Sequence, residues 1–125
     1  MLKMYLLAGV GGFVGTLLRY GIQKLSVFWG LISFPYGTFT VNLVGSLLIG
    51  IVYGLSERGN YLTPEVRIFL ATGICGGFTT FSSFTLDTLT LMRQGQHAYA
   101  ATYVIASVLL GLTATYLGFV FTRIL

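Results

Sequence analysis

A chain of 125 residues with 55% hydrophobic and only 8% charged side chains reads as a membrane protein of one domain, residues 1–125, because a soluble domain carries roughly 25% charged residues. The formal charge of +4 suits anionic lipid or an anionic permeant, and equally plain loop anchoring. Cys75 and His97 are each alone, which excludes an intrachain disulfide and a His/Cys metal cluster.

The first apolar segment runs from about Met4 to Leu18, between Lys3 and Arg19, and continues to about Leu25. A lysine before an apolar run mimics a signal peptide, but no small-x-small cleavage site followed by a soluble domain is present. Gly9-Val-Gly-Gly-Phe-Val-Gly15 resembles a nucleotide-binding glycine pattern at a glance. Its spacing fails at Val14, and no βαβ context surrounds it. Gly11 and Gly15 instead form a small-xxx-small face for close helix packing. Arg19 closes the segment, and either snorkels to the interface or faces an aqueous vestibule and draws anions.

A short loop follows, from Ser26 to Pro35. The second segment spans about Gly37 to Leu55 and ends in Ser56-Glu57-Arg58-Gly59-Asn60. Its midpoint carries Asn42. An amide at membrane depth faces the bundle interior, either in an interhelical hydrogen bond or as an NH2 donor lining a path. Gly50 and Gly54 make a second small-xxx-small face.

Thr63-Pro64-Glu65 is a helix start, with Thr as N-cap, Pro at the first position and Glu in the first turn. The 30 residues from Pro64 to Arg93 would reach about 45 Å as one helix, against a hydrocarbon core of about 30 Å. Within them, Ile68 to Leu86 is uncharged, yet holds Gly76-Gly77, then two Thr, two Ser and three Phe. Paired glycines favour non-helical backbone, and the hydroxyls can cap freed peptide groups. The sequence predicts a helix broken at Gly76-Gly77; the plainer alternative is a kinked helix with small residues for packing. In transporters such breaks mark the ion or substrate site. Asp87 falls near the far aqueous mouth. The last segment runs from about Ala98 to Phe121. Tyr103 and Ser107 share one of its faces, and Gly111 and Gly118 offer close contacts.

The fold class is therefore all-α, with four transmembrane helices, a broken third helix and both termini on one side. Lys3, Arg58, Arg67 and Arg123 then fall on the terminal side, and Arg19, Lys24 and Arg93 on the other. Four against three is almost no positive-inside bias. Two copies inserted in opposite senses could pair about an in-plane axis and reproduce an inverted repeat.

Three motifs carry a resemblance to a family: Gly11-Gly-Phe-Val-Gly-Thr-Leu-Leu-Arg-Tyr20, Gly37-Thr-Phe-Thr-Val-Asn42 with Gly45, and Gly73-Ile-Cys-Gly-Gly-Phe-Thr-Thr-Phe-Ser-Ser-Phe84. In content, order and four-helix layout the whole chain resembles the Fluc/CrcB fluoride channels. Ser83 stands where many members have Thr and keeps the hydroxyl. The resemblance implies an antiparallel, dual-topology homodimer in the cell membrane with two fluoride pores, exporting fluoride passively. It makes Asn42 a pore-lining donor and Phe81 and Phe84 the rings whose edges face fluoride. Thr38, Ser82, Ser83, Tyr103 and Ser107 would form the polar track, with Arg19 near a vestibule. Gly76 and Thr79 would give backbone carbonyls to a structural Na⁺ at the dimer centre. From the residues alone, the two phenylalanines read as core packing.

A small proton-coupled multidrug transporter is the competing function. It needs a titratable carboxylate in the membrane, for which Asp87 is the sole candidate. A structural subunit is a third reading. An enzyme fits poorest, because no nucleophile–base pair or metal cluster can be assembled.

Overall fold

The computed structural model describes residues 1–59 and 61–125, and helix is the only regular structure among them. Apolar runs of this length dictate that outcome, since lipid offers no partner to an unpaired peptide group. Helices α1 (Leu2–Phe28), α2 (Tyr36–Glu57) and α6 (His97–Arg123) are each continuous. The third span, Pro64–Arg93, is a composite. It joins α3 (Pro64–Arg67), a π-helical stretch (Ile68–Cys75), α4 (Gly76–Phe78) and α5 (Phe81–Arg93). All four spans are long and apolar enough to cross a membrane.

The local signals explain the ends. Thr63 Oγ1 accepts from Val66 N at 3.2 Å, with Pro64 and Glu65 in the first turn. Gly30 and Gly95 follow α1 and α5 at φ +76°, a left-handed backbone that only glycine adopts freely. Asn60, the last residue of the expected turn after α2, lies outside the described residues. One expectation is corrected: α1 runs nine residues beyond Arg19 before ending at Phe28, so Arg19 sits inside a helix and does not close it.

Two close helix pairs build the bundle. The first sets α1 on the π-helical stretch and α4. A Cβ on Gly11 would lie 2.5 Å from Phe69 O, and one on Gly15 would strike the Ile74 carbonyl. Gly77 returns the contact, with room for no Cβ against the Gly12 backbone. The second sets α2 on α6. There Gly50 meets the Thr115 carbonyl, Gly118 meets that of Leu47, and Gly54 meets the Thr122 side chain. Except at Gly54, the missing side chain lets two backbones touch, which is how helices associate where the solvent is as apolar as the protein. Gly111 does not take part: its nearest neighbour beyond its own helix, Ser46 Oγ, is 3.7 Å from the position of a Cβ.

Few side chains are buried. Val41, Tyr103 and Thr122 are fully enclosed, while large apolar residues such as Phe13, Leu17, Leu109 and Leu112 cover the outside. That inversion is expected of a surface made for acyl chains.

Candidate functional site

The break lies at Thr79-Thr80, two residues beyond the expected Gly76-Gly77. Gly76 is helical at φ −62°, ψ −39°, whereas Thr79 (−88°, 158°) and Thr80 (−152°, 116°) are extended. The physical reason is in the packing just described: Gly77 is needed for the approach to α1, and its lack of a side chain is spent on contact. The threonines make the break instead, because their side chains replace the lost helical partners.

Asn42 holds that break from across the bundle. Its Nδ2 donates to Thr80 O at 3.0 Å, and its Oδ1 accepts from Thr80 N at 2.7 Å. The amide thus pairs with one extended peptide as a neighbouring strand would. Thr80 Oγ1 accepts from Ser83 N at 3.1 Å and caps α5. Thr79 N and Oγ1 both donate to Cys75 O at 3.0 Å. Arg19 Nε donates to Gly77 O at 3.0 Å and Nη1 to Gln23 Oε1 at 3.4 Å. The half-buried guanidinium therefore caps backbone at the break, where the sequence pointed to an interface or a vestibule.

These bonds leave the carbonyls of Gly76 and Thr79 without their helical donors. The helical donors for Gly76 O and Thr79 O would be the N–H groups of Thr80 and Ser83, and both are turned elsewhere. No other donor among the described residues takes their place. Gly76, Thr79, Asn42 and Phe81 line one open groove of about 360 Å³ on the protomer's side. Free carbonyl oxygens without a carboxylate are the donor set of a hard, singly charged cation. The residues present therefore fit a Na⁺ at this position.

Beyond the break the aromatic residues form a ladder. Phe81 and Phe84 have ring centroids 5.6 Å apart, and Phe84 packs on Tyr103 at 5.1 Å. Phe81 is 76% exposed on the single chain, so it is not core. Phe84 is half-buried and packs with Phe34, Phe39 and Tyr103. One ring of the pair thus packs, and the other is presented on the single chain.

The hydroxyls divide into three places. Ser82 and Ser83 open α5, Ser82 Oγ lying 3.3 Å from Thr80 Oγ1. Thr38 is buried and accepts from Gln23 Nε2 at 3.1 Å. With Gln23 and Asp87 it lines a second cavity of about 360 Å³ under the loop between α1 and α2. Tyr103 OH donates to Asp87 Oδ2 at 3.2 Å. One turn further along α6, Ser107 Oγ is buried and has no hydrogen-bond partner. Other helical hydroxyls here turn back on the preceding turn, as Thr88 does to Phe84 O and Thr113 to Leu109 O. Ser107 does not.

Sequence reasoning missed the structural part of Thr80 and Gln23. For Thr80 a signal was present: Thr-Phe-Ser-Ser places a capping hydroxyl three residues before Ser83. For Gln23 there was none, because its partner Thr38 is brought in by the fold.

The profile described as "CrcB-like protein, Camphor Resistance (CrcB)" matches residues 6–119. The chain is 46% identical over 120 residues to a protein of Chlorobium chlorochromatii (strain CaD3), covering 94% of this chain and 91% of that one. It is 46% identical over 120 residues to one of Parabacteroides distasonis, covering 96% and 92%. Over 123 residues it is 42% identical to one of Azobacteroides pseudotrichonymphae, covering 98% of each. All three are named "Fluoride-specific ion channel FluC". The match runs through every span, the threonine break and the phenylalanine pair, and the chain belongs to the CrcB family.

Proposed function

We propose that this chain conducts fluoride passively across the cell membrane, as an antiparallel homodimer that holds a structural Na⁺ between its two copies. The observation that carries the reading is Ser107, a buried hydroxyl with no partner inside a membrane bundle. An unmet buried donor costs about 1–3 kcal/mol; a passing anion that accepts from it recovers that energy. Fluoride is small and strongly hydrated, so a pore must replace its water with donors. Asn42 has a second N–H beyond the one given to Thr80, and Ser82, Ser83 and Thr38 add hydroxyls; the Tyr103 hydroxyl would have to leave Asp87 to join them. The rings of Phe81 and Phe84 offer positively polarised edges. No lysine or arginine lies among these groups, so an entering anion meets no charge that would trap it.

The dimer reading is supported by what one chain leaves uncovered: the groove with Phe81, Gly76 and Thr79 along its wall. A second copy in the opposite sense would double the two free carbonyls into four. Na⁺ bound there would supply a positive charge that ties the chains. Its ligands would be the carbonyls of Gly76 and Thr79, which do not titrate.

The test is fluoride efflux from liposomes holding the purified protein, with chloride as the control anion. Fluoride flux down its gradient, without chloride flux, is the expected result. A proton gradient that drives uptake of an organic cation would instead establish the multidrug transporter. With the membrane potential clamped, a Na⁺ gradient should concentrate no fluoride; accumulation would make Na⁺ a transported partner and end the channel reading.

A further inference from the structure

We propose that Asn42 and Thr80 are the positioning residues of the cation site, each holding away the N–H that would otherwise close one of its carbonyls. The inference rests on the Na⁺ reading above and goes beyond it. In an unbroken helix Thr80 N would donate to Gly76 O, and Ser83 N to Thr79 O. Here Asn42 Oδ1 takes the first at 2.7 Å and Thr80 Oγ1 takes the second at 3.1 Å. The carbonyls of Cys75, Gly77 and Thr80 do not compete for a cation, because each has a donor, from Thr79, Arg19 and Asn42. From Cys75 to Thr80 the side chains thus leave the Gly76 and Thr79 oxygens without the donors a continuous helix would give them, and both residues line the groove.

Asn42 thereby has two tasks on one amide. Oδ1 serves the cation site through Thr80 N, while Nδ2 pins Thr80 O and keeps one N–H over. A residue that only lined a pore would need neither bond to Thr80. Thr80 is the cleaner probe, since it holds Ser83 N through a hydroxyl alone.

The experiment measures the Na⁺ concentration at half-maximal thermal stabilisation of the purified dimer, with choline chloride keeping ionic strength constant. This readout is separate from flux and from the baseline unfolding temperature. Thr80→Val removes the acceptor, returns Ser83 N to Thr79 O and should raise the midpoint about tenfold for each of the two copies, the net worth of an ordinary hydrogen bond. Thr80→Ser keeps the acceptor and should restore the wild-type midpoint. Asn42→Ala should raise the midpoint similarly through Gly76 O. If Asn42→Ala yields no dimer, Thr80→Val decides. An unchanged midpoint in Thr80→Val overturns the proposal while the Na⁺ site stands. Absence of any Na⁺ stabilisation in the wild type overturns both.

Discussion

Replacing Gly15 by alanine tests the contact that seats α1 on the broken span. The added Cβ would collide with the Ile74 carbonyl, stand 2.8 Å from Phe78 N and 3.1 Å from Ile74 C, where ordinary contact begins at 3.4 Å. All three neighbours are backbone, so no rotamer change relieves the clash and α1 must retreat by more than half an ångström. Overpacking of this kind costs about 1–3 kcal/mol, against which alanine returns up to about 1 kcal/mol of helix propensity. The net loss is about 1–2 kcal/mol, or about 4–8 °C in Tm for a chain of this size. The retreat also draws Arg19, one turn on along the same face, from Gly77 O at 3.0 Å. Fluoride flux should therefore fall as well. Gly111→Ala is the matched control, because its Cβ would meet only Ser46 Oγ, at 3.7 Å; it should keep flux and gain a few tenths to about 1 kcal/mol. Thermal unfolding in detergent and liposome efflux read the two quantities. If Gly15→Ala unfolds at or above the wild-type temperature, α1 does not depend on backbone contact at this point and the packing argument fails.

Phe81→Ile and Phe84→Ile should each slow fluoride efflux at least about tenfold, as a lost ring edge removes on the order of 1.4 kcal/mol from an ion in transit; full flux in both would show that the rings only pack. Phe84→Ile should also lower Tm, since Phe84 packs on Tyr103 at 5.1 Å, whereas Phe81, 76% exposed on one chain, should leave protomer stability nearly unchanged. Ser107→Ala removes an unmet buried donor and should raise Tm slightly while reducing flux; a variant that gains stability and conducts normally would take Ser107 out of the path. A cysteine placed at Ser33, in the loop between α1 and α2, should be labelled by an impermeant thiol reagent from both faces of the membrane in cells. Labelling from one face alone would refute insertion in both senses.

The amino-acid sequence by itself determined the four spans, because long uncharged runs have one solution in lipid, and it determined the Thr63-Pro64-Glu65 start, whose partners are three residues apart. It also singled out Asn42, Phe81 and Phe84 through the motifs that hold them, and Ser107 through the helical face it shares with Tyr103. The tertiary structure decided where the third span breaks. A glycine pair signals two things, a freed backbone and a close approach, and only the neighbour tells which; α1 against Gly77 made it the second. Likewise, the amide of Asn42 reads as a donor in the sequence, and its two bonds to Thr80, 38 residues away, exist only once α2 lies beside the break. Arg19 follows the same logic. Its charge suggested water, but the Gly77 carbonyl, 58 residues on, was the nearer acceptor because glycine contacts had already brought the two helices together. Local patterns fix which segments form helices; which backbone oxygens remain free depends on donors that only the folded bundle brings within reach.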